Sequence, residues 1–360
     1  MLKKFLVPAI VILFLLSLFK VAKVSSFLFQ LFFTHGVNLK QVNGKVNILL
    51  LGAGGANHDG PNLTDTMIFA SLDVEKEKVT LLSIPRDLWV PDLNGRINTA
   101  YSNAESQQKG GGILVVQAVV KKIMNQSIDY TVKIDFSGFV KAIDLLGRIN
   151  VNVENGFDDY KYPIDGKEND LCGHNENDLA FLATASSQLE AFPCRYKHIH
   201  FDQGMQKMNG ETALEFVRSR HAEGMEGTDF ARSKRQEEVI TAVKTAALSL
   251  NVLLNPSKII GLYSTVKNSI DTNIKEDEFD DFIRLAGKMN KAKIQSAVLD
   301  YGDDQTGRPG LLIHPEISSL YNNEWVLIPR IGDNNYQEIQ SYVTCEINSS
   351  DCPISKNPQR

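Results

Sequence analysis

The sequence predicts an α/β fold: a single domain with a central mixed β-sheet flanked by helices in three α-β-α layers, preceded by an N-terminal transmembrane helix. Three observations point there. Residues 47–51 (Asn-Ile-Leu-Leu-Leu) and 79–84 (Val-Thr-Leu-Leu-Ser-Ile) are apolar runs bounded by Gly or Pro, the pattern of strands buried on both faces. Helical and strand periods then alternate from 47 to 345 without a linker, which favours one layered domain. The amino end is apolar enough for a membrane.

That amino end comes first in the chain. Lys3 and Lys4 precede residues 5–19, apolar but for Pro8 and Ser17. A span needs ~20 residues, reached at Val24 if Lys20 and Lys23 snorkel to the interface. Residues 1–33 are read as a cytoplasmic stub and anchor, with a signal peptide cut after Ser26 as the alternative. Residues 34–46 read as a polar stalk. Lysines flank the apolar segment on both sides, so they do not fix its orientation.

The main domain is expected over 47–300. A strand over 47–51 runs into Gly52-Ala-Gly-Gly55, and residues 63–70 follow after a short link. The strand over 79–84 ends in Pro85-Arg86-Asp87, and Asn94-Gly95 marks a turn. Helices are expected over 113–124, 137–146 (stopped by Gly147), 210–217, 230–250, 256–267 and 275–289. Strands are expected over 130–136, 149–153 and 294–299. Residues 154–209 are irregular and read as a disulfide-closed insertion over one sheet edge. Residues 301–360 form a C-terminal extension packed on the same domain, with a strand over 325–330 and a helix over 336–342.

Of the 360 residues four are cysteines: Cys172, Cys194, Cys345 and Cys352. An even count beside an export signal implies two disulfides outside the membrane, most simply Cys172 with Cys194 and Cys345 with Cys352. A zinc site is the rival, because His174, His198 and His200 lie near the first pair, although the spacing matches no common zinc pattern. The net charge of −5 and pI near 5.9 argue against a nucleic-acid partner. Any anion site must therefore be a local cluster.

Five arginines form a candidate cluster. Arg86 follows a buried strand, at the rim where α/β proteins bind ligands. Arg218 and Arg220, two apart, share one side of an extended segment. Arg232 and Arg235, three apart, share a face near the start of a helix, whose amino end adds N–H donors. Guanidinium forks grip phosphate oxygens in pairs, so a diphosphate suits such a set. The bland reading pairs these arginines with Asp87, Asp229, Glu223 and Glu237 on the surface. Asp65 is the candidate Mg²⁺ carboxylate, since Mg²⁺ takes one or two protein carboxylates and completes its shell with substrate and water. Asp59 and His58 are weaker candidates. The glycine loop is not a dinucleotide fingerprint: Asn57 stands where the third glycine belongs, and Pro61 interrupts any helix.

An ordered set of motifs resembles the LytR-CpsA-Psr family. They are residues 47–52 (Asn-Ile-Leu-Leu-Leu-Gly), Asp65-Thr-Met67, Leu82-Ser-Ile-Pro-Arg-Asp87, Ile97-Asn-Thr-Ala-Tyr101, Asp135-Phe136, Ile143-Asp-Leu-Leu-Gly147, Val217-Arg-Ser-Arg220 and Asp229-Phe-Ala-Arg-Ser-Lys-Arg-Gln236. The resemblance covers roughly residues 46–300. It implies a single-pass membrane protein with its domain on the outer face of the bacterial cytoplasmic membrane. The fold it implies is a mixed sheet between helices with a long apolar pocket for a polyprenyl chain. The activity it implies is a Mg²⁺-assisted phosphotransferase moving a glycopolymer from a polyprenyl-diphosphate carrier to a peptidoglycan hydroxyl. It makes Arg86, Asp65 and Arg220 catalytic, Arg86, Arg218, Arg220, Arg232 and Arg235 diphosphate-binding, and Asp65 a metal ligand. Two positions depart from the family pattern. The family has an Asp near Ala53 or Gly54, absent here, and an Arg where this chain has Leu63. A first loop rebuilt around residues 57–59 is the expectation that follows. The alternative function is a non-catalytic polyprenyl-phosphate-binding sensor or regulator.

Overall fold

The computed structural model describes residues 37–55, 60–175, 187–249, 261, 269–303, 308–349 and 352. Strands β1 (Lys45–Ala53), β2 (Thr64–Asp73) and β3 (Lys78–Ser83) form an antiparallel meander. Short strands β4 (Trp89–Val90) and β5 (Gly95–Arg96) close a turn at Asn94, whose φ of 47° is the left-handed conformation Asn tolerates. Helices α1 (Thr99–Gln107) and α2 (Gly111–Met124) lead to β6 (Tyr130–Asp135), parallel to β1. Helix α3 (Phe136–Leu146) follows, then β7 (Ile149–Val153), β8 (Phe157–Pro163), α4 (Gln188–Ala191), β9 (Tyr196–Phe201) and β10 (Gly204–Met208). Helices α5 (Gly210–Arg218) and α6 (Asp229–Ala247) precede β11 (Ile270–Thr272), α7 (Phe279–Lys288) and β12 (Lys293–Val298). The chain ends with β13 (Gly302–Asp303), β14 (Arg308–Pro309), β15 (Leu312–Ile313), β16 (Ile328–Pro329) and α8 (Gln337–Asn348).

The six-stranded sheet has the order β11-β6-β1-β2-β3-β12. It is mixed, because β6 with β1 and β12 with β3 run parallel while the other pairs run antiparallel. Side chains alternate between the faces. Leu49, Leu51, Met67, Phe69 and Leu82 pack on one side against α1, α2 and α8. Val46, Ile68, Ala70 and Leu81 pack on the other against Leu285 and Met289. Apolar side chains on both faces explain why these strands read as unbroken apolar runs.

Residues 154–209 are more than a lid. The β8–β9 hairpin lays Phe157, Tyr162, Ile199 and Phe201 into a second core with α3, α5 and α6. The structure pairs Cys172 with Cys194 and Cys345 with Cys352. The first bridge consumes both candidate zinc thiolates, while His198 and His200 instead bond Asp158 at 2.7 and 2.9 Å. Among the described residues no helix is long and apolar enough to cross a membrane. The anchor expected over 1–33, the helix expected over 256–267, and His58 and Asp59 lie outside the described residues. The strand expected over 325–330 shrinks to β16, because residues 324–327 leave the β15 pairing to run beside residues 87–89.

Candidate functional site

The carboxyl ends of β1, β3, β6 and β12 lie at one rim of the sheet, and β2 begins there. Antiparallel register brings Asp65 to Arg86. Ile68 pairs with Ser83, so three residues further out Asp65 faces Arg86 across the hairpin. The Arg86 guanidinium donates to Asp65 Oδ1 at 3.1 Å and to Asp87 at 3.3 Å. Asn98 donates to the same Asp65 oxygen at 3.3 Å, and its carbonyl accepts from Thr64 N and Oγ1 at 3.1 and 3.2 Å. Asn98 is buried, and its Oδ1 has no hydrogen-bond partner among the described residues.

Two further elements reach this rim. The Oγ atoms of Ser233 in α6 and Ser83 in β3 lie 2.9 Å apart, which brings the first turns of α6 to the end of β3. Thr228 caps that helix by accepting from Ala231 N, and Arg232 pairs with Asp229 at 2.8 Å. Arg220, just beyond α5, points its Nη2 at the Asp65 carbonyl at 3.4 Å. Among the described residues no carboxylate pairs with Arg220. Burial, then Arg232, then Arg86 hold its guanidinium down at about 10, against the pull of Asp65 and Asp229. Asp65, Arg86, Arg220 and Arg232 therefore form one electrostatic unit, in which burial and the two neighbouring guanidinium groups outweigh Asp65 and Asp229 at Arg220.

Arg218 and Arg235 stand apart from this unit. Arg218 is the last residue of α5, so the rule that residues two apart share a side does not reach it. Its fork grips Asp165 with two 2.9 Å bonds, over the Phe136 ring at 4.1 Å. Arg235 is only 3% exposed and donates to the carbonyls of Phe216 (3.0 Å), Ser219 (2.8 Å) and Glu226 (2.8 Å), and to the Glu226 carboxylate at 3.1 Å. These bonds brace the turn that carries Arg220 from one side. Asp159 braces it from the other, accepting from Ser219 Oγ at 2.7 Å and His221 N at 3.2 Å. With three bonds to backbone carbonyls and one to the Glu226 carboxylate, Arg235 serves here as a strut under the Arg220 turn. Sequence reasoning missed Asn98 and Asp159. Asn98 lies inside a quoted motif, whereas Asp159 carries no periodic or spacing signal.

The sequence pattern of the LytR_cpsA_psr family matches residues 23–314. The chain belongs to the LytR_cpsA_psr family. Similar to it is the polyisoprenyl-teichoic acid–peptidoglycan teichoic acid transferase TagU of Oceanobacillus iheyensis, 30% identical over 251 residues, 68% of this chain and 64% of that protein. TagV of Bacillus subtilis, named for the same activity, is 29% identical over 221 residues, 60% of this chain and 46% of that protein. The chain thus spans less than two thirds of the length of these two relatives. Among solved structures, Lin1025 of Listeria innocua has a TM-score of 0.55 at 22% identity, covering 86% of this chain and 99% of its own. The crystal structure of B. subtilis TagV gives 0.53 at 22% identity, covering 86% and 100%. These likenesses show that the mixed sheet with flanking helices is the LytR_cpsA_psr fold.

Proposed function

We propose that the protein transfers a glycopolymer from a polyprenyl-diphosphate carrier to a peptidoglycan hydroxyl. It would act outside the cytoplasmic membrane, held there by its N-terminal segment. The observation that carries this reading is Arg220: half buried, with no carboxylate paired to it among the described residues, and flanked by two more guanidinium groups. Such a group calls for an anion of two or more charges. Membership of the family and the polyisoprenyl-teichoic acid transferase activities named for TagU and TagV support a polyprenyl-linked glycopolymer as the donor, and a diphosphate link would supply that anion.

In this reading Arg86, Arg220 and Arg232 grip the diphosphate oxygens. The acceptor hydroxyl attacks the sugar-linked phosphorus, forming one P–O bond as the anhydride P–O bond to polyprenyl phosphate breaks. The arginines stabilise the charge that develops on the leaving phosphate. The hydroxyl proton passes to solvent water as the bond forms, since a loose transition state asks little of a base. Mg²⁺ fits the donors present, which are all oxygens. Asp65 Oδ2 carries no protein bond among the described residues, and Asn98, whose Nδ2 bonds Asp65 Oδ1, has a buried Oδ1 that finds no partner among them. Asp65 with Asn98 would hold the ion. When bound, it would neutralise part of the diphosphate charge. Asp59 remains a second candidate ligand on the sequence alone. Leu63, standing where the family has Arg, is turned away: its Cδ1 lies 2.6 Å from where a Gly60 Cβ would be, so it packs on its own loop.

The test uses full-length protein in detergent with a polyprenyl-diphosphate glycan, a peptidoglycan acceptor and Mg²⁺, and follows release of polyprenyl monophosphate. Arg220→Ala should lower release by roughly 100-fold or more, the scale of losing a transition-state donor. EDTA should abolish release. Tight binding of the carrier with no release would support the regulator reading instead.

A further inference from the structure

The C-terminal extension carries a feature that the phosphate site does not use. Tyr301, His314 and Trp325 come from three separate segments, and the first two both meet Trp325. The Trp325 indole stacks on the His314 imidazole, with centroids 4.8 Å apart at 26°. Tyr301 meets Trp325 edge-on at 6.5 Å. All three rings are exposed, Tyr301 at 54% and Trp325 at 43%. Rings this exposed forgo part of the burial that aromatic side chains usually gain. Contiguous exposed patches of this kind mark binding surfaces.

The rings are mounted rigidly. His314 Nδ1 donates to the Val326 carbonyl at 2.9 Å, which fixes the ring and leaves Nε2 outward. Val326 and Leu327, next to Trp325, are fully buried. The backbone at Tyr301 presses on Gly310, where a Cβ would come within 2.1 Å of the Tyr301 carbonyl carbon. Arg330 ties the segments together through Leu311 O (3.0 Å) and Gly310 O (2.9 Å).

The mount is joined directly to the phosphate rim. Leu327 N donates to Asp87 O at 2.9 Å and Trp89 N donates to Leu327 O at 2.8 Å, so residues 325–327 run beside residues 86–88. Arg96 bridges Asp87 at 3.0 Å and Glu324 at 2.8 Å. The residue that positions Arg86 is thus two bonds from the residue before Trp325.

We propose that Tyr301, His314 and Trp325 form a glycan-binding platform that holds the peptidoglycan acceptor strand beside the phosphate site. The inference rests on the transfer reading for the identity of the glycan. Pyranose rings present an apolar C–H face that stacks on an aromatic ring, and hydroxyls at their edges that His314 Nε2 can bond. Preorganised rings bind such a ligand with little ordering cost. The acidic neighbours Glu316 and Glu324 oppose an anionic lipid surface, for which a basic patch would be expected. Trp325 lies beyond residue 314, where the family match ends.

The chain has two tryptophans, and Trp89 is buried, so a change in emission on ligand binding reports on Trp325. Full-length protein in detergent is titrated with soluble peptidoglycan glycan strands, without donor lipid, and read by tryptophan emission and acrylamide quenching. Wild type should show saturable protection of Trp325. Trp325→Ala should weaken co-sedimentation with intact peptidoglycan roughly fivefold or more, with Trp325→Phe retaining most of it, the scale of a stacked aromatic pair. Equal binding by the Ala variant, or an unprotected Trp325, overturns the proposal. So does protection by phospholipid vesicles and not by glycans, which would make the patch a membrane contact. Because donor is absent, a failed transfer assay with intact glycan protection would sink the transfer reading and leave the platform standing.

Discussion

A guanidinium half buried beside two others raises the free energy of the fold unless an anion joins it. Arg220 is in that position, whereas Arg235 has every nearby acceptor it needs. Opposite stability effects follow. Arg220→Ala removes like-charge repulsion and should leave the thermal midpoint equal or higher while removing release. Arg235→Met strands three carbonyls and the Glu226 carboxylate, and should cost about 3 kcal/mol, as breaking a buried ion pair does. Denaturant unfolding of both variants checks this; a destabilised Arg220→Ala with an unaffected Arg235→Met would reverse the two roles. At this scale the sequence was informative about residue type and less so about direction. Asp65 and Arg86 were legible because each flanks an apolar strand. Arg218 and Arg220 looked equivalent because the end of α5 could not be placed between them.

Helix α6 shows what one element has to reconcile. Its first turns carry Arg232 and Arg235, its middle packs Glu237 against Ser296 of β12, and Val239 and Ala242 enter the second core. Such a helix is wetted or charged on several sides, so its apolar stripe is weak, yet Thr228 and Asp229 still marked its start. Glu238 lies on the same helix. Burial, with Glu154 and Glu226 nearby and against the pull of Lys234, pushes its carboxyl up to about 7 from 4.5. The native state therefore holds a proton that the unfolded chain releases between these values. Stability falls as pH rises through that window and levels off above it. Glu238→Gln mimics the protonated form. It should raise the thermal midpoint at about pH 8 and change it little at about pH 4. A gain at the lower pH, or none at the higher, would place the charge cost elsewhere. Helix α1 was the element least legible in sequence, because its polar run buries only Ala100 and Tyr101 and so lacks an apolar period.

Across the molecule, the alternation of apolar strands and amphipathic helices was enough to expect a mixed sheet between helix layers. The C-terminal extension was legible as packed on the domain, but not as part of its core. Short strands such as β15 and β16 have too few residues to show a period. The structure makes residues beyond the family match part of the main core. Leu327, Tyr336, Ile339, Tyr342, Val343 and Ile347 lie in one cluster with Leu49, Phe69 and Leu82 of the sheet. Lys78 of β3 reaches the end of α8, donating to the carbonyls of Glu346 and Ser349 at 2.8 Å each, where a cation favours the helix dipole. A chain ending at residue 314 would uncover the part of this face, and of α2, that α8 and Leu327 cover. Each large side chain that these six residues cover forfeits up to about 1.5–3 kcal/mol when uncovered, so losing the cover of several is comparable with the 5–15 kcal/mol by which domains are stable. Such a chain should be insoluble or lack a cooperative unfolding transition, whereas one ending at residue 352 should melt as the full protein does. Circular dichroism melts of the two read this directly. A cooperative melt from the chain ending at 314 would mean that the family-matched segment folds alone, with α8 merely resting on it.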